Sequence, residues 1–150
     1  MIRQYQSGDL DKIMSIWLTE NERAHNFIDA DFFINNFELV KSLIPMSTVY
    51  VQDLNGIKGF IGITDNYIAG LFVDSNFHHQ GIGTALIQKA KQKHNDLSVH
   101  VYQKNDKAVA FYLSQGFEVI SESINDETNE IEYLMSCHLE HHVKIGKCAL

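Results

Sequence analysis

Apolar positions recur along the chain with two different periods, and the switches between them divide it into strands and helices. Ile2 to Tyr5 reads as a short strand. Leu10, Ile13, Met14 and Trp17 then recur at helical spacing behind Ser7, a residue able to cap that helix. A second helix is predicted from Asp29 or Asp31, with Phe33, Phe37, Val40 and Ile44 on one face and Pro45 as its stop. Arg23 to Ile28, between the two, has too little periodicity for a helix. Thr48 to Gln52 and Ile57 to Ile63 flank Asn55-Gly56, the strongest short hairpin signal in the chain. A second turn at Asp65-Asn66 feeds Tyr67 to Val73, an apolar run whose weak alternation predicts a strand buried on both faces.

That strand enters His79-Gln80-Gly81-Ile82-Gly83-Thr84, a glycine-bearing turn, and then a helix from Gly83 to about His94. Leu97 to Tyr102 alternates as a half-buried strand, so strand, helix and strand form one βαβ unit whose strands run parallel. Asn105 or Asp106 caps a helix bearing Ala108, Phe111 and Tyr112 on one face, and Gly116 ends it. Phe117 to Ile120 and Ile131 to Met135 close the sheet as an antiparallel pair. The expected organisation is one domain, residues 1–138, followed by an aperiodic tail, residues 139–150.

Composition narrows the class without changing the fold. A chain of 150 residues, 45% hydrophobic and 21% charged, is ordinary for a globular domain. It has no apolar run of membrane-spanning length and no signal peptide, so no membrane partner is expected. Cys137 and Cys148 make no disulfide framework, which favours a reduced, cytoplasmic protein. With 12 Lys+Arg against 19 Asp+Glu the net charge is −7, which argues against nucleic acid and suits a cationic partner. Cys137, His138, Glu140, His141 and His142 are metal-ligand types, but they straddle a strand end and the tail without a second ligand pair. No metal site is expected.

The chemistry is concentrated at the glycine turn. Free N–H groups of a first helical turn and the helix dipole form an anion site, and Gly81 and Gly83 let a phosphate approach the backbone. No Gly-Lys-Ser/Thr follows, which excludes a P-loop, and Leu86 stands where a dinucleotide fold has its third glycine. The stretch resembles the acetyl-CoA signature of the GNAT superfamily, Gln/Arg-x-x-Gly-x-Gly/Ala, with Gly81-Ile82-Gly83 matching and His78 at the Gln/Arg position. Asn105, Ala108, Phe111, Tyr112, Gly116 and Phe117 resemble its second hallmark, Asn-x-x-Ala-x-x-Phe/Leu-Tyr-x-x-x-Gly-Phe, at every named position. On Ala24 to Ile28 and Val101 to Asn105, the chain is most similar to small stand-alone bacterial N-acetyltransferases of the YiaC and YjaB kind.

The resemblance implies an α/β fold: a twisted, mostly antiparallel sheet of about seven strands, a parallel pair where two strands splay, and about four flanking helices. It implies an acetyl-CoA-dependent N-acetyltransferase that acts on a primary amine by direct attack in a ternary complex. The amine could belong to a protein lysine, a protein N-terminus, a polyamine or a small metabolite. Leu71, Phe72 and Val73 would present backbone groups to the pantetheine arm, entering like a missing strand between Leu71 and Val99. His78, His79, Gln80, Gly81, Ile82, Gly83 and Thr84 would surround the pyrophosphate. Asn105 would bond the pantetheine amides, Ala108 would leave room, and Tyr112 would be the general acid at sulfur. Trp17, His25, Phe27 and Phe32 would line the acceptor pocket.

Plainer roles compete with several of these. Tyr112 suits an apolar core, Asn105 a helix cap, the glycines a tight turn, and His78 and His79 a solvated loop. The general base is open between His25, His100, Glu20, Glu22 and a water relay. A noncatalytic acyl-CoA sensor or a scaffold on the same fold would share the motifs, and a monomer or a homodimer would fit.

Overall fold

The computed structural model describes residues 1–138. Seven strands run as β1 (Ile2–Gln4), β2 (Thr48–Asp53), β3 (Ile57–Thr64), β4 (Tyr67–Val73), β5 (Asp96–Tyr102), β6 (Glu118–Ile124) and β7 (Ile131–His138). Four α-helices accompany them: α1 (Leu10–Ala24), α2 (Ala30–Leu43), α3 (Ile82–Lys93) and α4 (Asp106–Ser114). The sheet order is β1-β2-β3-β4-β5-β7-β6. β4 and β5 are parallel, and every other neighbouring pair is antiparallel. This is the α/β architecture expected from the sequence.

Period-two alternation sorts the core into two layers. Val49, Val51 and Phe60 face α1 and α2, where they pack with Ile13, Met14, Ile16 and Ile44. Tyr50, Ile61, Ile63, Leu97, Val99 and Val101 face the other way and pack with Leu86, Ile87 and Ala90 of α3, Tyr112 of α4 and Phe117. The sheet is therefore sandwiched between helices, the arrangement a βαβ crossover requires. Among the described residues no helix is long and apolar enough to cross a membrane.

Local chemistry sets most boundaries where the sequence placed them. Asn55 (φ 57°) and Gly56 (φ 116°) make the β2–β3 turn, and the Asp29 carboxylate caps α2 by accepting the Asp31 N–H at 2.9 Å. Helix α1 starts later than Ser7 predicts. Ser7–Asp9 is a single 3-10 turn, and the Asp9 carboxylate accepts the Gln6 N–H and binds the Arg3 guanidinium through both oxygens at 2.9 Å. Arg3 also donates to Asp53, tying β1, the helix start and the end of β2 together. β6 and β7 are longer than the apolar pattern indicated, because backbone pairing carries them through Ser121, Glu122 and Ser123, which are exposed.

The larger correction concerns β4. Only Ile68 of this strand is buried, so it is not covered on both faces. Its register with β5 consists of Tyr67 with Ser98 and Ile68 with Val99, and from there the two strands part. Against β3, Ile63 pairs with Ile68 but Gly62 pairs with Gly70, which leaves Ala69 as an extra residue. A bulge of this kind bends and twists its strand. It sits where the parallel pairing stops.

Candidate active site

Beyond the bulge, Leu71, Phe72 and Val73 stay paired with Ile61, Phe60 and Gly59 of β3. Among the described residues, no strand pairs with their opposite edge. The backbone groups on that edge point into a wedge between β4 and β5. Below the wedge the chain turns through Ser75–Phe77, where the Asp74 carboxylate accepts the Asn76 N–H at 3.0 Å. His79 (φ 66°) and Gly81 (φ 78°) then reverse it into α3, whose first main-chain bond is from the Ala85 N–H to the Gly81 carbonyl. The N–H groups of Ile82, Gly83 and Thr84 precede that bond, as at any helix start.

The two glycines do different work. Gly81 is left-handed and a Cβ there would meet nothing within 4 Å, so conformation demands the glycine and the space above stays open. At Gly83 a Cβ would lie 3.3 Å from the Phe111 ring, so this glycine lets the starts of α3 and α4 approach. His78 turns back on the strand, with Nε2 2.9 Å from the Val73 carbonyl. Glu20 is not the solvated helix carboxylate its position suggested. It is 8% exposed, accepts the Ser75 N–H at 3.1 Å and lies 3.9 Å from His78, pinning α1 to the turn.

Asn105 opens the other side of the wedge. Its Oδ1 caps α4 by accepting the Ala108 N–H at 3.2 Å, and its amide nitrogen lies 3.0 Å from Nε2 of His25. About two helical turns on, Tyr112 is 6% exposed and packs edge-on against Phe111 and Phe117. Its hydroxyl makes no hydrogen bond to any described residue. Burial, and then the neighbouring Tyr67 phenol, push its pKa up. Tyr67 reaches His100 across the start of the wedge, with its hydroxyl 2.8 Å from Nδ1. Burial raises the Tyr67 pKa, a hydrogen bond from the His100 backbone opposes that, and Glu132 adds to it.

The acceptor side divides in two. Trp17 packs edge-on against Phe33 and Phe37 inside the α1–α2 interface, and Phe32 lies edge-on to Phe33. His25 and Phe27 instead meet Tyr102 at the end of β5, with ring centroids 5.1 and 5.8 Å away. The structure thus brings His25, Phe27 and Asn105 together at Tyr102, sets His100 and Tyr112 beside Tyr67, and places Trp17 and Phe32 against the aromatic rings of α2. Sequence reasoning did not single out Tyr67 or Tyr102. Tyr67 opens its strand directly after the Asp65-Asn66 turn, and the alternation of β5 puts Tyr102 on the same face as His100, so both signals were available. Among the described residues no three His, Cys, Asp or Glu side chains gather as a metal site. Glu140, His141, His142, Cys148 and the expected tail boundary lie outside the described residues.

Both the sequence and the fold match a known family. The model of the acetyltransferase (GNAT) domain matches residues 20–133. Peptidyl-lysine N-acetyltransferase YiaC of Escherichia coli (strain K12) is 34% identical over 139 residues, covering 91% of this chain and 95% of the relative. The solution structure of apo-form YjaB from Escherichia coli superposes with a TM-score of 0.79 at 24% identity, covering 91% of this chain and 95% of that one. YncA of Salmonella typhimurium, solved with its cofactor acetyl-CoA, superposes with a TM-score of 0.66 at 17% identity, covering 95% of each chain. This chain belongs to the GNAT family of acetyltransferases.

Proposed function

We propose that the protein moves the acetyl group of acetyl-CoA to the ε-amine of a protein lysine, by direct attack within a ternary complex. The observation that carries this is the end of β4–β5 pairing at Ile68 and Val99. An extended arm bearing amides fits there as a strand would, hydrogen-bonding the free edge of Leu71 to Val73. Asn105 has one amide hydrogen and an oxygen lone pair left to meet such an arm. Ala108 keeps the near face of α4 small. The amides from His79 to Thr84 take the pyrophosphate, and this is backbone work because the His78 ring is engaged at Val73.

A thioester supplies an activated carbonyl and a thiol that leaves readily, so the protein supplies proton transfers and a place for developing charge. The amine nitrogen forms its bond to the carbonyl carbon as the carbon–sulfur bond breaks. With Nδ1–H donated to the Tyr67 oxygen, His100 has Nε2 free, on the exposed face of β5, to take the amine proton. Tyr112 gives its hydroxyl proton to the departing sulfur. Its raised pKa keeps that proton in place until needed. An amide on the open edge of β4 receives the oxyanion. Phe27 and Tyr102 form the wall against which the lysine stem lies. The lysine reading follows the relatives named above, and the net charge of −7 suits a cationic acceptor.

Calorimetric titration with acetyl-CoA, with ATP and NAD as controls, tests the cofactor half. Selective binding is expected, and no binding by the folded protein removes the proposal. With a lysine peptide, Tyr112→Phe is expected to lower kcat by about a hundredfold and leave acetyl-CoA affinity within about twofold. An unchanged kcat would take Tyr112 out of the proton path. Acetyl-CoA binding with no turnover on any amine would make the chain a sensor.

A further inference from the structure

We infer that His25 is a positioning residue: it holds the side-chain amide of Asn105 in the orientation that meets the cofactor, and so couples the acceptor-side helices to the cofactor wedge. The inference rests on the reading that Asn105 contacts the pantetheine arm. Its basis is a hydrogen-bond chain whose direction is fixed from both ends. The Trp17 carbonyl can only accept, so the Asn21 amide nitrogen donates to it at 2.9 Å. Asn21 Oδ1 is then the atom facing Nδ1 of His25 at 3.0 Å, and Nδ1 carries the proton. At the other end the Ala108 N–H can only donate, and it takes Asn105 Oδ1. The Asn105 amide nitrogen therefore faces Nε2 of His25 and donates to its lone pair at 3.0 Å.

Both ends assign the same tautomer, neutral with the proton on Nδ1. Both ring nitrogens are used. The imidazole is also stacked on Phe33 and edge-on to Phe27 and Tyr102, so three aromatic rings hold its plane. Burial keeps it neutral, with a pKa lowered to about 4. A general base needs an open lone pair near the amine. His25 has none, whereas His100 keeps one nitrogen outside its bond to Tyr67. What His25 does have is a grip on Asn105 from α1, across 80 residues of chain. Remove the ring and Oδ1 still caps α4, but no other described residue directs the amide hydrogens.

Calorimetric affinity for acetyl-CoA separates the roles when wild type, His25→Ala, Asn105→Ala and the double variant are compared. Each single change is expected to weaken binding about fivefold, and the double variant to bind no more weakly than Asn105→Ala alone. The acidic limb of the kcat/KM pH profile is expected to persist in His25→Ala. Wild-type affinity in His25→Ala, with Asn105→Ala weakened, overturns the positioning role and leaves the cofactor reading standing. Wild-type affinity in Asn105→Ala overturns the cofactor reading itself. Loss of the acidic limb in His25→Ala makes His25 the base and overturns the proposal. Nitrogen-detected NMR of the unaltered protein tests the chain without any variant: the Nδ1–H form is expected at pH 7, and the Nε2–H form overturns it.

Discussion

What a histidine can do here is decided by its second nitrogen. His78 spends Nε2 on the Val73 carbonyl, His25 spends both nitrogens between Asn21 and Asn105, and His100 spends one on Tyr67. The sequence shows these imidazoles near the motifs and ranks none of them, because the distinguishing partners come from other segments. The state of His25 has a consequence for stability. Its pKa is lowered from 6.5 to about 4 in the folded protein. Between those values the unfolded chain binds more protons, so stability rises with pH through that window. The contribution is complete above the unfolded value, is lost as pH falls towards about 4, and does not change further below. Its size is about 3 kcal/mol. Urea unfolding at pH 7 and pH 4.5 checks it: His25→Gln, which cannot titrate, is expected to lose less stability than wild type between the two. Asp9 and Asp53, whose carboxylates are held low by Arg3 and backbone N–H groups, act in a more acidic range.

Among elements, β4 carries the function, and its form comes from one residue. Ala69 is an extra residue against β3, and it separates the paired start of the strand from its free edge. Deleting Ala69 restores one continuous register with β3, in which Gly70 to Val73 keep their partners, and removes the bend that parts them from β5. Acetyl-CoA affinity of the deletion variant is expected to drop at least about a hundredfold while circular dichroism keeps the strand and helix signal. Near-wild-type binding would mean the bulge does not shape the wedge. This is also where sequence reading reached its limit. Asn55-Gly56, Asp29 and Asn105 were legible because each acts through its own side chain or φ preference on its immediate neighbours. Ala69 has no such signature. Apolar residues at Leu71, Phe72 and Val73 look the same whether a strand or a ligand lies beside them. Ser7 was misread for a related reason, since the turn that delays α1 is held by Asp9 and Arg3 from a segment folded against it.

For the molecule as a whole, charge and the divided sheet matter most. A net charge of −7 attracts cationic acceptors over about a Debye length, an effect that salt removes. The kcat/KM for a lysine-rich peptide is expected to fall about three- to tenfold between 50 and 500 mM salt, with little change in kcat. Salt-independent kcat/KM would place recognition in short-range contacts alone. The sheet itself is two sheets, β1 to β4 and β5 to β7, sewn along two residue pairs. A molecule laid along the open edge of β4 adds the stitches that the chain leaves out. Filling the site and completing the tertiary structure are then a single event. On the proposed function, the supply of the acetyl donor would set how tightly the protein is knit as well as how fast it works.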